Sequence, residues 1–519
     1  MIQIGSTVKN KIHYGFIFAR ARVRRRLIHK RCHCFAIELG GITSHSFLRR
    51  LRAGFHMRSA RRRKVSKEMS RNSSLMLQDN LQSTGHAGLT GVFDVPGDKS
   101  VSHRSLIFGG LAIGTTRIRG LLEGDDVMAT GRAMQALGAD IRRDADGVWH
   151  VTGAGTNGLV SPEAPLDLGN SGTGVRLLMG VVAGQPITAT FCGDASLSRR
   201  PMARVTDPLA RMGAAITARD GDRLPVTITG AETPLAADHV SRVASAQIKS
   251  AVLLAAINAR GTSIVREPTA SRDHTEAMLR HFGATVRSAT EGDGTHVVEL
   301  EGEATLRAAD IAVPRDPSSA AFPMVAALIT EGSDLLIPSV GMNPLRTGLI
   351  LTLQEMGGDI TLENHRTEGG EAVADLRVRH SQLRGIDVPP ERAASMIDEY
   401  PILAIAATQA DGVTRMLGVE ELRVKETDRI AVVADGLLAA GGSVSYDDDS
   451  MTVTGGGIAG GITIDSQHDH RIAMSFLTLG MVSAAPMTVT GCGTINTSFP
   501  AFADSMNARG AALSAAPDQ

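Results

Sequence analysis

The stretch VPGDKSVSHRS, residues 95 to 105, places Lys99 and Ser100 behind a glycine turn and ahead of an apolar run. A lysine and a hydroxyl at a helix start can hold an anion, because the first turn leaves backbone N–H donors free and carries about half a positive charge. Similar polar openings recur at Ser171, Gly172 and Thr173, at Gln247 and Lys249, and at His470 and Arg471. Further cations stand in SLSRRPM (Arg199, Arg200), TASRDHTE (Arg272), NPLRTG (Arg346) and RVKETDR (Arg423, Lys425, Arg429). Planar guanidiniums suit carboxylates and phosphates because they donate in pairs. A single such arginine reads as ordinary surface. The set, recurring at equivalent points of a repeat, reads as a cleft for strongly anionic small molecules.

Other chemistries lack their residues. GDKS has neither the second glycine before the lysine nor the spaced first one of a nucleotide-binding P-loop. No G-x-G-x-x-G is read as following a strand to open a dinucleotide site, no paired histidines suggest zinc, and no serine is sharply presented for Ser-His-Asp catalysis. What remains is chemistry on phosphorylated substrates without a metal or other cofactor. The chain has four cysteines, Cys32 and Cys34 near the start and Cys192 and Cys492 in the body. That usage fits a reduced, cytoplasmic setting with neither a disulfide framework nor a four-thiolate zinc site. No run of about 18 apolar residues is present, so no membrane span is expected.

The formal net charge of zero hides an asymmetry. Residues 1 to 68 hold 18 Lys and Arg against 2 acidic residues, which leaves 36 basic and 52 acidic residues in the rest. The basic segment, with ARARVRRRLIHKRCHC and RSARRRKVSK, has three readings: nucleic-acid binding, organelle targeting, or upstream read-through before the real start. Met57, Met69 and Met76 all precede the first patterned segment, so residues 1–75 are expected to be a disordered or spurious leader, with no nucleic-acid partner.

Six related units must position the cations. LGADI, MGAAI, FGATV, MGGDI, AGGSV and RGAAL begin at 137, 212, 282, 356, 440 and 509, spaced 75, 70, 74, 84 and 69 residues apart. That period suits a small αβ subdomain. Each unit opens on a helix-capping residue (Asp98, Asn170, Ser245, Asp316, Asp398, Asp469) and then a helix of small apolar residues, in the fourth unit with Pro317 at the favoured first position. Such helices should be buried all round, and their Ala and Gly should let backbones approach closely. A β-like run, an amphipathic helix ending in the Gly motif, and more strand follow. Three units close into one domain, with helices inside and sheets outside; six make two domains. If the buried helices of a domain run parallel, their N-termini emerge on one anion-binding surface, and two facing surfaces form a cleft.

In order, PGDKSVSHRS, GNSGTGVR, GDASLSRRPM, SAQIKSAVLLAA, SRDHTEAML, RVKETDRI and DHRIAMSF resemble the 5-enolpyruvylshikimate-3-phosphate synthase family, in particular its second bacterial class, over residues 89 to 510. The resemblance implies an α/β fold of two inside-out α/β barrel domains, each of three βαβαββ units with pseudo-threefold symmetry. One domain would comprise residues 76–97 plus 312–519 and the other 98–311, opening and closing near residues 97 and 312. It implies transfer of the enolpyruvyl group of phosphoenolpyruvate to the 5-hydroxyl of shikimate 3-phosphate, with release of phosphate, in the shikimate pathway to chorismate and aromatic amino acids, by a monomer.

Roles follow by resemblance. Shikimate 3-phosphate would meet Lys99, Ser100, Arg104, Ser245, Ala246, Gln247, Arg272, Asp398 and Lys425. Phosphoenolpyruvate would meet Lys99, Gly172, Arg200, Gln247, Arg429 and Arg471. Asp398 and Glu426, with Lys99, would carry the protons, the division between acid and base being open. An opposite charge such as Lys425 would keep one carboxylate ionised while burial raised the other. Gly172 would leave room for glyphosate where tolerant second-class members carry alanine. The chain departs from the first class at SAQ and SRDHTE, at EELRVKETDR, where that class has an asparagine four residues before the lysine, and at NTSFP, where a lysine often precedes Phe-Pro. The sister enolpyruvyl transferases acting on UDP-N-acetylglucosamine carry a reactive cysteine where this chain has Ala195.

Overall fold

The computed structural model describes residues 78–85, 87–368 and 370–517. The basic leader, Met57, Met69, Met76, Cys32 and Cys34 lie outside the described residues.

Six helices with little polarity beyond their first turns form the interior. They are α1 (Lys99–Leu111), α2 (Gly172–Ala183), α3 (Ala246–Ala256), α4 (Pro317–Ile329), α5 (Tyr400–Thr408) and α6 (His470–Leu479). Helices α4 and α5 are buried at every residue, as sequences apolar on all faces must be. Small residues bring the helices together: a Cβ on Gly180 would stand 2.2 Å from the Ala251 carbonyl oxygen, and one on Gly184 2.5 Å from that of Ala255. These two contacts, one helical turn apart, set α2 against α3 backbone to backbone. A larger residue at Gly180 would force the pair apart, at a cost of about 1–3 kcal/mol.

Around the helices, among the described residues, lie six four-stranded sheets with one shared pattern: a parallel outer pair, then two antiparallel pairings. Each second, outer helix ends at the repeated glycine. Gly138, Gly213, Gly283, Gly357, Gly441 and Gly510 all have positive φ, between 88° and 122°. A side chain is strained there, so the repeat of glycine in the sequence is a repeat of one backbone turn. GAGTNG, residues 153 to 158, does have dinucleotide-type glycine spacing behind the strand Trp149–Thr152, but it runs into a loop, so it forms no helix N-terminus for a pyrophosphate.

The chain visits two hydrophobic cores. One gathers Leu81–Val95 side chains with those from Ala320 to Leu513, the other those from Val101 to Val313. Strand Leu81–Thr84 pairs with Met487–Thr490 and Ala512–Ala515 at the far end of the sequence, and Ile311–Ala312 returns to pair with Thr115–Arg119. The two crossing segments run side by side: Asp98 N–H donates to the Pro314 carbonyl at 2.8 Å, and Asp316 N–H to that of Pro96 at 2.9 Å.

Asp98, Asp316 and Asp469 cap α1, α4 and α6 through their carboxylates. Ser245 takes the cap position of α3 without using its side chain. Two expected caps are not caps. Ser171, not Asn170, accepts from Gly174 N–H at 3.1 Å, and Glu399, not Asp398, precedes α5. Pro401 fixes that start, since a residue with no N–H belongs in a first turn. Among the described residues no helix is long and apolar enough to cross a membrane.

Candidate active site

The first turns of the inner helices converge. A cavity of about 400 Å³ is lined by Lys99 and Ser100 of α1, Thr173 of α2, Ala246 and Gln247 of α3, Ser318 of α4 and His470 and Arg471 of α6, with Asp398 just before α5. Both cores contribute. Free N–H groups and aligned peptide dipoles make such a convergence a site for anions. Of the residues expected from the sequence, Ser245, Arg272, Lys425, Glu426 and Arg429 also line it.

Four cations surround Asp398. Arg272 pairs with its Oδ2, while Lys425 Nζ and Arg429 Nη1 lie 3.4 and 3.3 Å from Oδ1. Arg471 Nη1 donates to the Asp398 carbonyl at 2.9 Å and to Glu399 Oε1 at 3.0 Å. Burial alone would raise the Asp398 pKa, but Lys425, Arg272, Arg471 and Arg429 outweigh it and hold the carboxyl well below the usual range. Glu426 is similar. Its Oε2 accepts from Arg429 at 2.5 Å and its Oε1 lies 3.5 Å from Arg200, so these arginines overcome burial and hold it well below its ordinary value. The expected split of the two carboxylates is therefore not present: both are held in the ionised form.

Burial does raise two carboxyls here: Asp316, which lines the cavity and is pushed further up by Asp98, and, outside the lining, Asp126, beside Lys99 Nζ at 2.5 Å. The sequence reading passed over Asp126. Its signal was available, because EGDDVMATG opens the second helix of the first unit, the position that carries Arg199, Arg272, Arg346 and Arg423 in other units. Arg346, read only as one cation of that set, is buried and binds both crossing segments, at 3.1 Å to Asp98 and 3.0 Å to Asp316.

Three expected contacts stand back from the cavity. Arg200 donates to Asn170 Oδ1 at 2.6 Å and closes the Glu426 end. Gly172 lies against it: a Cβ there would be 2.9 Å from Arg176 Nη1 and Arg200 Nη1. Arg104 is buried behind Ser100, donating to its carbonyl at 3.1 Å and to Thr275 and Ser250 hydroxyls at 2.7 Å each. Gln247 is held from both sides, accepting from Arg176 at 3.0 Å and donating to Thr173 Oγ1 at 3.0 Å. Glu421, where the first class carries asparagine, pairs with Arg204 at 3.3 Å. Cys192 ends a strand outside the cavity lining, with its thiol against the Leu166 carbonyl, and burial raises its pKa. No group of three or more His, Cys, Asp or Glu suited to a metal ion occurs among the described residues.

A cavity ringed by helix N-termini and arginines, with ionised carboxylates at its centre, suits two small polyanions and proton transfer between them. Comparison with known proteins agrees. Residues 83–506 match the family model for EPSP synthase (3-phosphoshikimate 1-carboxyvinyltransferase). The 3-phosphoshikimate 1-carboxyvinyltransferase of Parvibaculum lavamentivorans is 58% identical over 427 residues, covering 82% of this chain and 95% of the relative. The structure of EPSP synthase from Acinetobacter baumannii superposes with a TM-score of 0.74 at 44% identity, covering 84% of this chain and 99% of that one. The enolpyruvyl transferase NikO from Streptomyces tendae shares the fold at 18% identity, with a TM-score of 0.67 over 85% of this chain and all of its own. The motifs, the convergent site and these likenesses place the chain in the EPSP synthase family, with the α/β enolpyruvyl transferase fold.

Proposed function

We propose that the cavity binds shikimate 3-phosphate and phosphoenolpyruvate together, and that its residues divide the work as follows. Lys99, Ser100, Ser245, Ala246, Gln247 and Arg272 hold shikimate 3-phosphate on one wall, with Lys425 and Asp398 reaching it from the other. Arg104 supports Ser100 from behind. Lys99, Gln247, Arg429 and Arg471 hold phosphoenolpyruvate, with Gly172 and Arg200 shaping its end of the cavity. The reaction moves the enolpyruvyl group onto the 5-hydroxyl of shikimate 3-phosphate and releases phosphate.

Addition joins the 5-oxygen to C2 of phosphoenolpyruvate as the 5-hydroxyl gives its proton to a base and the methylene carbon takes a proton from an acid. Elimination returns a proton from the resulting methyl group and breaks the C–O bond to phosphate. Asp398 and Glu426, held ionised by their cations, serve as proton acceptors, and Lys99 Nζ is a proton carrier within the same cavity. Arg429 touches both carboxylates, so a change of charge at one is felt at the other.

The two cores are read as two inside-out α/β barrels of three units each, residues 76–97 plus 312–519 and 98–311, hinged where Gly97 and Arg315 pair. Ligands must enter a cavity that both walls surround, so the hinge opens in each turnover. The enzyme works as a monomer in the cytoplasm, without a metal or other cofactor. The observation that carries the reading is the meeting of all six inner-helix starts around Asp398. Titration of shikimate 3-phosphate with and without phosphoenolpyruvate tests it. Tighter binding in company is expected, and indifference would count against a shared cavity.

A further inference from the structure

Behind the wall assigned to shikimate 3-phosphate lies a sealed group of charges that the roles above do not use. The side chains of Lys249, Glu267 and Glu276 are 0% exposed. Lys249 Nζ lies 3.0 Å from Glu267 Oε2 and 2.8 Å from Glu276 Oε1, and donates to the Ser271 carbonyl at 3.1 Å. None of the three residues lines the cavity.

Glu267 nevertheless holds residues that do. Its Oε1 accepts from Ser245 N–H at 2.8 Å and from Ser271 Oγ at 2.9 Å. Ser245 is extended, with φ −140° and ψ 103°, and its hydroxyl does not cap α3. The carboxylate of Glu267, rather than an ordinary cap, therefore fixes its backbone. Lys249 grips the carbonyl of Ser271, the residue before Arg272. One ion pair thus ties together the segments 245–247 and 271–272, which come from different parts of the sequence. Burying two carboxylates and a lysine carries a desolvation penalty that apolar side chains of the same size would not have, so stability alone is a poor reason for the group.

We infer that the Lys249–Glu267 pair is a positioning unit that sets the affinity for shikimate 3-phosphate by fixing Ser245 and Ser271–Arg272 relative to each other. The inference rests on the reading of those residues as the shikimate 3-phosphate wall. The phosphoenolpyruvate end depends on it little, because the pair touches none of Lys99, Gly172, Arg200, Arg429 or Arg471, and the shared Gln247 side chain is held by Arg176 and Thr173.

The test uses the full chain as wild type, Lys249→Met, Glu267→Gln and the double variant. Shikimate 3-phosphate binding is measured by titration calorimetry, and KM for both substrates by phosphate release. Each single variant is expected to weaken shikimate 3-phosphate binding about tenfold or more and to raise its KM accordingly, with KM for phosphoenolpyruvate within about twofold of wild type. The double variant should cost no more than the worse single, since the two residues act as one unit. Folded variants with wild-type affinity would overturn the inference, as would an equal loss for both substrates, which marks general loosening. If Lys249→Met does not fold, Glu267→Gln decides by the same readouts, because it keeps the shape and an acceptor for Ser245. A wild type that binds no shikimate 3-phosphate would instead remove the reading beneath it.

Discussion

Lys99 Nζ lies 2.5 Å from Asp126 Oδ2, so the lysine assigned to both substrates is aimed by a buried carboxyl on the next helix. Both residues belong to the first unit, one at the start of its inner helix and the other at the start of its outer one. Asp126→Ala would leave Lys99 free to turn away. The expected result is a fall of about tenfold in kcat/KM for phosphoenolpyruvate, equivalent to ~1.4 kcal/mol of transition-state stabilisation. Steady-state kinetics checks it, and an unchanged value would mean that Lys99 needs no such partner.

Asp398 and Glu426 share Arg429, at 3.3 and 2.5 Å, and should act as one unit. Asp398→Asn is expected to lower kcat by about 10²- to 10⁴-fold, the range for a proton-transferring group. Adding Glu426→Gln should cost far less than the product of the two single effects. Phosphate release at saturating concentrations of both substrates measures this, and a kcat within about threefold of wild type for Asp398→Asn would exclude a proton role.

Gly172→Ala puts a methyl group 2.9 Å from the guanidinium tips of Arg176 and Arg200. These are ends of flexible side chains, so the protein should fold normally while the phosphoenolpyruvate end narrows. The expected outcome is a several-fold rise in KM for phosphoenolpyruvate and a larger rise in the glyphosate concentration needed for inhibition. Parallel inhibition curves for wild type and variant check it; equal curves would show that this corner does not decide inhibitor fit.

Stability should fall as the solution is acidified below about pH 6.5. Burial holds His103 and His470 well below the ordinary histidine value, with Lys99 among the charges adding to the effect. Both stay neutral in the folded chain while the unfolded chain takes up protons, so stability rises with pH through this window and is lost as pH falls. The slope reaches about 1.4 kcal/mol per pH unit for each histidine. His103 bonds Thr130 Oγ1 at 2.8 Å and is 0% exposed. Denaturation midpoints at pH 7.5 and 5.5 should therefore differ less in His103→Gln than in wild type.

The repeated glycines were readable because one backbone turn with positive φ tolerates little else, so six copies of it left six copies of the letter. The inner helices were readable because burial on all faces leaves no polar stripe. Individual side-chain duties were harder. Asn170 and Asp398 look like caps in one dimension, yet a shift of one or two residues in the helix start frees each for other partners: Asn170 for Asp194 and Arg200, Asp398 for four cations. The charge state of Asp398 and Glu426 depends on groups distant in sequence, Arg272 for the first, 126 residues away, and Arg200 for the second, which no local pattern reports. Arg104 shows the same limit, since its motif marks it for substrate while its neighbours, Thr275 and Ser250, seal it behind Ser100.

The most direct test of the account is phosphate release by the purified full chain given phosphoenolpyruvate with either shikimate 3-phosphate or UDP-N-acetylglucosamine. Release with shikimate 3-phosphate only, abolished in Lys99→Ala, is the predicted result. Release with the nucleotide sugar, or undiminished release by Lys99→Ala, would contradict the assignment of this cavity and of the lysine at its centre.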